Sequence, residues 1–150
     1  MKDLHLIVVG KLKDKNLEAL EDNYLKRIKA PKLHIHEVKS HKENLDLEAN
    51  EVEKKLNDIG ATFPILLAES GQLFDSPKMS KWLFNLLETK SEKIVFIIGG
   101  ASGHGEKVLK RASQKLSLSP LTYPHKLARV LFVEQIYRAL TINSGHPYHK

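Results

Sequence analysis

One predicted strand, Lys93–Ile98 with the continuous apolar run Ile94–Ile98, constrains the fold more than any other stretch of this 150-residue chain. Its Ile-Val-Phe-Ile-Ile sequence does not alternate polar and apolar residues, and such strands are typical of a parallel sheet that is covered on both faces. A glycine-rich loop, Gly99–Gly105, follows the run, and a helical pattern comes next. The sequence therefore predicts a central strand that ends in a loop with little side-chain bulk.

The rest of the chain alternates between strand and helix patterns. Alternating units of this kind predict an α/β fold with a mostly parallel sheet and helices on both faces, here as a single domain over residues 1–150. Further strands are predicted at Leu4–Val9, Leu33–Val38 and Phe63–Leu67, and helices at Leu17–Ile28, Leu45–Ile59, from an N-cap at Ser76 to about Leu87, from Glu106 to about Lys115, and from about His125 to Asn143.

The last predicted helix is apolar on more than one side. Leu127, Val130 and Leu131 lie on one face, whereas Phe132 and Ile136 make other faces apolar as well. A helix that is apolar nearly all round is buried on more than one side. The second side is expected to be the interface of a homodimer, and the alternative is that the helix lies deep in the core of one chain.

Charge is distributed unevenly along the sequence. Residues 1–75 contain 12 Lys and Arg against 14 Asp and Glu, whereas residues 76–150 contain 12 against 4. The second half therefore carries a positive field that attracts polyanions, which makes a nucleic acid a candidate partner. A basic surface without any such partner is the alternative at this point.

Composition limits the cellular location of the protein and the kinds of site that it can contain. The chain has no cysteine, so disulfides and thiolate metal sites are excluded. Its longest apolar runs fall far short of the roughly 18 residues that a membrane-spanning helix needs. The first residues show no long apolar segment and no small-residue cleavage site, so a cytoplasmic protein without membrane contact is expected.

Several familiar site motifs are excluded by their spacing. The loop after the central strand lacks the G-x-G-x-x-G order, and Glu106 stands where a P-loop needs lysine. His104 occupies the position at which a nucleophile elbow around Ser102 needs its last glycine. His36 and His41 are one residue too far apart for a zinc-binding helix, so no metal is expected.

Short segments spread over the chain carry a resemblance to a known family. They are Val8–Leu12, Gly71 with Asp75 and Ser76, Phe96–Gly100, Leu116–His125, Arg129–Leu131, Glu134–Ala139 and Pro147–Lys150. In this order the set closely resembles the SPOUT methyltransferases, in particular the ribosomal RNA large subunit methyltransferase H family. The resemblance covers the whole chain. One departure is Ala68–Ser70, where family members more often have an acidic, an aliphatic and a polar residue.

The resemblance implies a fold and a cofactor that periodicity alone does not give. SPOUT enzymes thread the C-terminal segment through a loop to form a trefoil knot, whereas knots are almost absent elsewhere. Their cofactor is S-adenosylmethionine, held bent in the knotted loops. Matched motif by motif, its contacts fall on Leu67, Gly99, Gly100, Gly103, Leu118, Ser119, Pro120, Leu121, Thr122 and Tyr123.

The implied reaction is methylation of N3 of a pseudouridine in a 23S rRNA stem-loop, on the ribosome or its RNA. The imide must lose its proton, so a nearby base or cation should help. Candidates are Arg129, Tyr137, Arg138 and His149, with His125 as a further one. Family behaviour suggests that His149 reaches the other subunit's cofactor site. The competing interpretations are a SPOUT enzyme acting on tRNA or another rRNA site, and a ribosome-binding factor without catalysis.

Overall fold

The computed structural model describes residues 1–42 and 44–150 as an α/β fold with a five-stranded, all-parallel sheet. The strand order is β2-β1-β4-β3-β5, which confirms the predicted sheet type. The strands are β1 (Leu4–Val9), β2 (Leu33–Val38), β3 (Thr62–Leu73), β4 (Lys93–Ile98) and β5 (Gln114–Ser117); the helices are α1 (Lys15–Leu25), α2 (Leu45–Ile59), α3 (Ser76–Thr89), α4 (Glu106–Arg111) and α5 (His125–Ser144).

Helices cover both faces of the sheet. One core lies between the sheet and α1, α3 and α5, and a smaller core lies between the sheet and α2 and α4. The central strand β4 is buried from Ile94 to Ile98, as its uninterrupted apolar sequence predicts. In the part of the chain that the structure describes, no helix has the combination of length and apolarity required to cross a membrane.

The last helix lies deep in the core of the chain itself. Phe132 and Ile136 are fully buried, and the ring centroid of Phe132 is 4.8 Å from that of Phe96 on β4. These two side chains are therefore not free to face a second subunit, because the sheet and α3 already cover them. Among the apolar residues of α5, Leu127 is exposed and Ala128, Leu131, Leu140 and Ile142 are partly accessible.

The helix predicted from Glu106 to about Lys115 is wrong at its C-terminal end. It ends at Arg111, and Gln114–Ser117 forms β5, the outer strand beside β3. Side-chain packing and one hydrogen bond stabilise this strand. Leu116 is almost fully buried, and Trp82 Nε1 donates a hydrogen bond to Gln114 Oε1 at 3.0 Å. The pairing partner is about fifty residues away in sequence, so local periodicity does not reveal it.

The start of α3 also differs by one residue from the prediction. Asp75 is the N-cap, and its Oδ1 accepts a hydrogen bond from the backbone N–H of Lys78 at 2.8 Å. Ser76 is the first helical residue, and its hydroxyl donates to Gln135 on α5 instead. A carboxylate caps a helix about as well as a hydroxyl does. The preference for a side-chain oxygen at the N-cap therefore holds, with Asp75 as the cap in place of Ser76.

Two histidines on β1 and β2 give folding stability a defined pH dependence. His5 Nδ1 and His36 Nε2 are 3.0 Å apart, and burial lowers the pKa of both rings, that of His5 to about 4. The unfolded chain therefore binds protons more tightly than the folded chain. We expect the free energy of unfolding to fall as the pH drops from about 6.5. Urea titrations at several pH values measure this fall.

The matched variant carries glutamine in place of both histidines. Its free energy of unfolding should change less between pH 6.5 and pH 5, a range above the ordinary pKa of carboxylates. An equal slope in the variant and the wild type would show that this pair does not cause the effect.

Candidate active site

A cleft of about 830 Å³ opens at the carboxyl edge of the sheet. This is the edge at which α/β proteins bind small molecules, and the volume is that of a ligand pocket. Nine of the ten residues predicted to hold the cofactor line it: Leu67, Gly99, Gly100, Gly103, Leu118, Ser119, Leu121, Thr122 and Tyr123. Pro120 is not among the residues that line the cleft.

One wall of the cleft is formed by an irregularity in β3. Leu67 pairs with Leu116 on β5, and Gln72 pairs with the same residue, so the residues between them leave the ladder. Ala68, Glu69 and Ser70 lie in this excursion and line the cleft. Extra residues that bend a strand often occur beside binding sites, because they redirect side chains. Sequence patterning predicted only the first part of β3 and missed this wall.

The glycine-rich loop is packed tightly against itself. A β-carbon built on Gly99 would lie 2.3 Å from the carbonyl oxygen of Gly103, which is far inside contact distance. Gly103 has a φ of +90°, a conformation that favours glycine. A side chain at position 99 would therefore collide with the loop before it reached a ligand, so Gly99→Val changes the shape of the loop itself.

His104 joins the two sides of the cleft, and sequence reasoning missed this role. Its Nε2 lies 2.9 Å from the carbonyl oxygen of Leu67, so the neutral ring donates a hydrogen bond from the glycine-rich loop to the end of β3. Burial lowers the pKa of His104 and outweighs this hydrogen bond, which acts in the opposite direction. The ring is therefore uncharged at neutral pH, and its position in the loop was the only signal in the sequence.

The first turn of α5 closes the cleft on another side. His125 and Ala128 line it, and burial together with Lys126 lowers the pKa of His125. Of the catalytic candidates, His125 is thus the one that lies at the cleft of its own chain. The described residues contain no group of three or more His, Asp or Glu side chains arranged to hold a metal ion.

Arg129, one turn further along α5, belongs to an ion cluster in which Arg129 and Glu21 are buried and Glu37 is exposed. Its Nε and Nη2 donate to the two carboxylate oxygens of Glu21 at 2.7 and 2.9 Å, and its Nη1 donates to Glu37 at 2.7 Å. Burial alone would lower the pKa of Arg129, but the two carboxylates outweigh it and raise the pKa. The guanidinium therefore joins α5 to α1 and β2, and its donors are not available to an RNA phosphate.

Tyr137, Arg138 and His149 gather at the other end of α5. Arg138 donates from Nε to Glu134 Oε1 at 2.9 Å, and Nη1 lies 3.0 Å from His149 Nδ1. The hydrogen bond that Arg138 donates to Glu134 raises the pKa of Arg138. Thirteen residues separate His125 from Arg138, which is about 20 Å along a straight helix. The three candidates are thus close together but remote from the cleft of their own chain.

The C-terminal tail docks on this cluster. The Tyr148 hydroxyl donates to Glu134 at 3.1 Å, and its ring packs edge-on against Tyr137 with centroids 4.8 Å apart. Burial raises the pKa of Tyr148 to about 12. Tyr148 is partly buried and packs against the main core, so deleting Tyr148–Lys150 would remove packing from that core.

The fold and cleft define an α/β protein with a small-molecule site at the carboxyl edge of a parallel sheet. A family model described as a predicted SPOUT methyltransferase matches residues 1–149. The ribosomal RNA large subunit methyltransferase H of Clostridium botulinum strain Langeland is 41% identical over 160 residues, covering 99% of both chains. The enzyme of that name from Oenococcus oeni is 39% identical over 160 residues, covering 100% of both.

A solved structure agrees with these sequence matches. It is that of a probable methyltransferase from Bordetella pertussis Tohama I, which covers 93% of this chain and 96% of its own with a TM-score of 0.55. At 11% identity this likeness concerns the fold alone. The family match and the relatives together show that this chain belongs to the SPOUT methyltransferase family, as the sequence motifs predicted.

Proposed function

We propose that this chain transfers the methyl group of S-adenosylmethionine to N3 of a pseudouridine in 23S rRNA. The observation that carries the proposal is the cleft at the sheet edge, lined by nine of the residues that the family motifs predict for the cofactor. The names of relatives at 39–41% identity support large-subunit rRNA as the substrate. We also propose that residues 1–150 work as one cytoplasmic SPOUT domain; its trefoil knot stays a prediction.

The residues of the cleft fit a nucleoside cofactor. Leu67, Leu118 and Leu121 supply apolar walls, and the two loops supply backbone groups that can bond an adenine edge. The cofactor, when bound, supplies a methyl group that is already activated as a sulfonium. The work left to this chain is therefore to align donor and acceptor and to exclude water.

The acceptor side needs a group that helps N3 to lose its proton. Arg138 can stabilise the resulting negative charge, and His149 can take part in moving the proton. Tyr148 is not suited to act as the base, because its raised pKa of about 12 keeps it protonated at neutral pH. Tyr137 packs edge-on against Tyr148 and so helps to orient the tail.

A homodimer would bring the cofactor cleft of one subunit close to Arg138 and His149 of the other. Arg138 and His149 lie about 20 Å from the cleft of their own chain, measured along α5, so we propose that they act at the cleft of a second subunit. Leu127, 38% exposed near the start of α5, is apolar surface that a second copy would cover. Light scattering should give about twice the monomer mass.

Leu121→Arg should weaken S-adenosylmethionine binding about tenfold or more, because it removes an apolar wall and adds a charge that repels the sulfonium. Leu121 is 68% exposed, so the fold should tolerate the change. Leu109→Arg on α4 is the matched control, since Leu109 is 42% exposed and lies outside the cleft. Calorimetry measures both; equal affinities would remove Leu121 from the cofactor site.

The same titration separates the competing functions. A folded wild-type protein without affinity for S-adenosylmethionine would fit a ribosome-binding factor and contradict the proposal. Methyl transfer to free tRNA, but not to ribosomes or 23S rRNA, would keep the cofactor and change the substrate.

A further inference from the structure

Arg27, just after the end of α1, lies on a platform of three tyrosine rings. Its guanidinium carbon is 5.0 Å from the ring centroid of Tyr24, 4.5 Å from that of Tyr137 and 5.9 Å from that of Tyr148. Its Nε donates to the backbone oxygen of Asn23 at 3.2 Å. Aromatic faces and this hydrogen bond hold the guanidinium in one orientation, so little side-chain entropy remains to be lost on binding a ligand.

The charge of Arg27 is not neutralised by the part of the chain that the structure describes. No described carboxylate lies within 4.0 Å of it, and the residue is exposed. The two other arginines that contact the α1–α5 surface differ, because Arg129 pairs with two carboxylates and Arg138 pairs with Glu134. Arg27 is thus an exposed, oriented cation whose Nη1 and Nη2 donate no hydrogen bond to the described residues.

We propose that Arg27 binds a backbone phosphate of the RNA substrate. A planar guanidinium with two free terminal nitrogens matches two phosphate oxygens, and arginine is favoured wherever phosphate is bound in this way. Arg27 contacts the same Tyr148 ring on which Arg138 lies at 4.8 Å. The phosphate would therefore be held beside the tail that we propose to act on the RNA, and this inference rests on that proposed function.

The direct test is RNA affinity as a function of salt. The probe is a fluorescein-labelled RNA stem-loop with a pseudouridine in its loop, titrated by anisotropy between 50 and 300 mM NaCl, a range in which phosphate contacts dominate. Arg27→Gln should weaken binding about five- to tenfold and make the slope of log affinity against log salt shallower by about 0.7 to 0.9. Arg27→Lys should keep the slope and lose about two- to threefold, since the charge remains without the planar fork.

Lys26→Gln is the matched control, because it removes one positive charge from the adjacent residue. Lys26 is already paired with Asp22 at 3.1 Å, so its loss should change the salt slope much less. Thermal unfolding and S-adenosylmethionine titration of each variant report on folding and on the cleft. The melting temperature of each variant should match that of the wild type within a few degrees, and its affinity for S-adenosylmethionine should match within about twofold.

Three results would overturn the inference. One is an unchanged affinity and slope for Arg27→Gln, and another is a change no larger than that of Lys26→Gln. The third is an Arg27→Lys variant with the same loss of slope as Arg27→Gln, which would indicate that the residue only supports the tail. A wild type that binds the RNA without methylating it would contradict the proposed function and leave Arg27 as an RNA contact. A wild type that does not bind the RNA would overturn both.

Discussion

Replacing Arg138 with alanine is expected to lower kcat for methyl transfer about a hundredfold or more, while the affinity for S-adenosylmethionine stays within about twofold. A donor that stabilises charge developing in the transition state typically contributes this much to the rate. The cofactor affinity should hardly change, because Arg138 lies about 20 Å along α5 from the cleft of its own chain and, at the cleft of the second subunit, is proposed to act on the acceptor base and not on the cofactor. Single-turnover kinetics on ribosomes and calorimetry measure the two quantities separately.

Mixing two impaired variants, assayed at a concentration of S-adenosylmethionine that leaves the Leu121→Arg cleft largely empty, tests whether Arg138 acts across a dimer. Leu121→Arg removes a cleft residue and Arg138→Ala removes the distant cation. Random reassortment in equal amounts gives half mixed dimers, each with one intact composite site, so about a quarter of wild-type activity should return. If both residues acted within a single chain, no intact site would form and the mixture would stay inactive.

Arg129→Met is expected to cost about 3 to 5 kcal/mol in the free energy of unfolding. The substitution leaves the buried Glu21 without the guanidinium that holds both of its carboxylate oxygens, and breaking a buried ion pair on one side has this cost. Urea unfolding monitored by the fluorescence of Trp82 measures it. A loss below about 1 kcal/mol would mean that the cluster is much better solvated than its burial indicates.

A triple variant separates the ion pair from the packing. Replacing Glu21, Glu37 and Arg129 together with apolar residues of similar volume removes all three charges, and such exchanges are often neutral or stabilising. Most of the stability lost in Arg129→Met should therefore return. If the triple variant is as unstable as the single one, the loss arises from side-chain volume and not from the unpaired carboxylate.

The parts of the fold that were predictable are those with a strong local pattern. The apolar run of β4 and the long helix α5 were both recognised, because burial on two sides leaves a direct mark on the sequence. The edge strand β5 was missed, since its four residues owe their conformation to pairing with β3 and not to any periodicity. Short edge strands are decided by tertiary contacts.

The residues of the candidate site also divide into those that the sequence revealed and those that depend on distant contacts. Glycines and the loop around Leu118–Tyr123 were found because a family resemblance places them, and the cleft gathers nearly all of them. The i,i+4 spacing of Glu134 and Arg138 indicated an ion pair, whereas Arg129 has no acidic partner within α5 and yet is 7% exposed between two acidic residues that come from α1 and β2. No pattern within α5 could reveal those partners. Arg27 was overlooked because its tyrosine platform comes from three separate segments.

The central claim is that this chain methylates large-subunit rRNA with S-adenosylmethionine. Mass spectrometry of rRNA nucleosides from cells with and without its gene tests this claim most directly. We predict one N3-methylated pseudouridine in 23S rRNA that is absent without the gene and is restored by the wild type but not by Arg138→Ala. Identical rRNA nucleosides in both strains, or restoration by the Arg138→Ala variant at the wild-type level, would contradict the account.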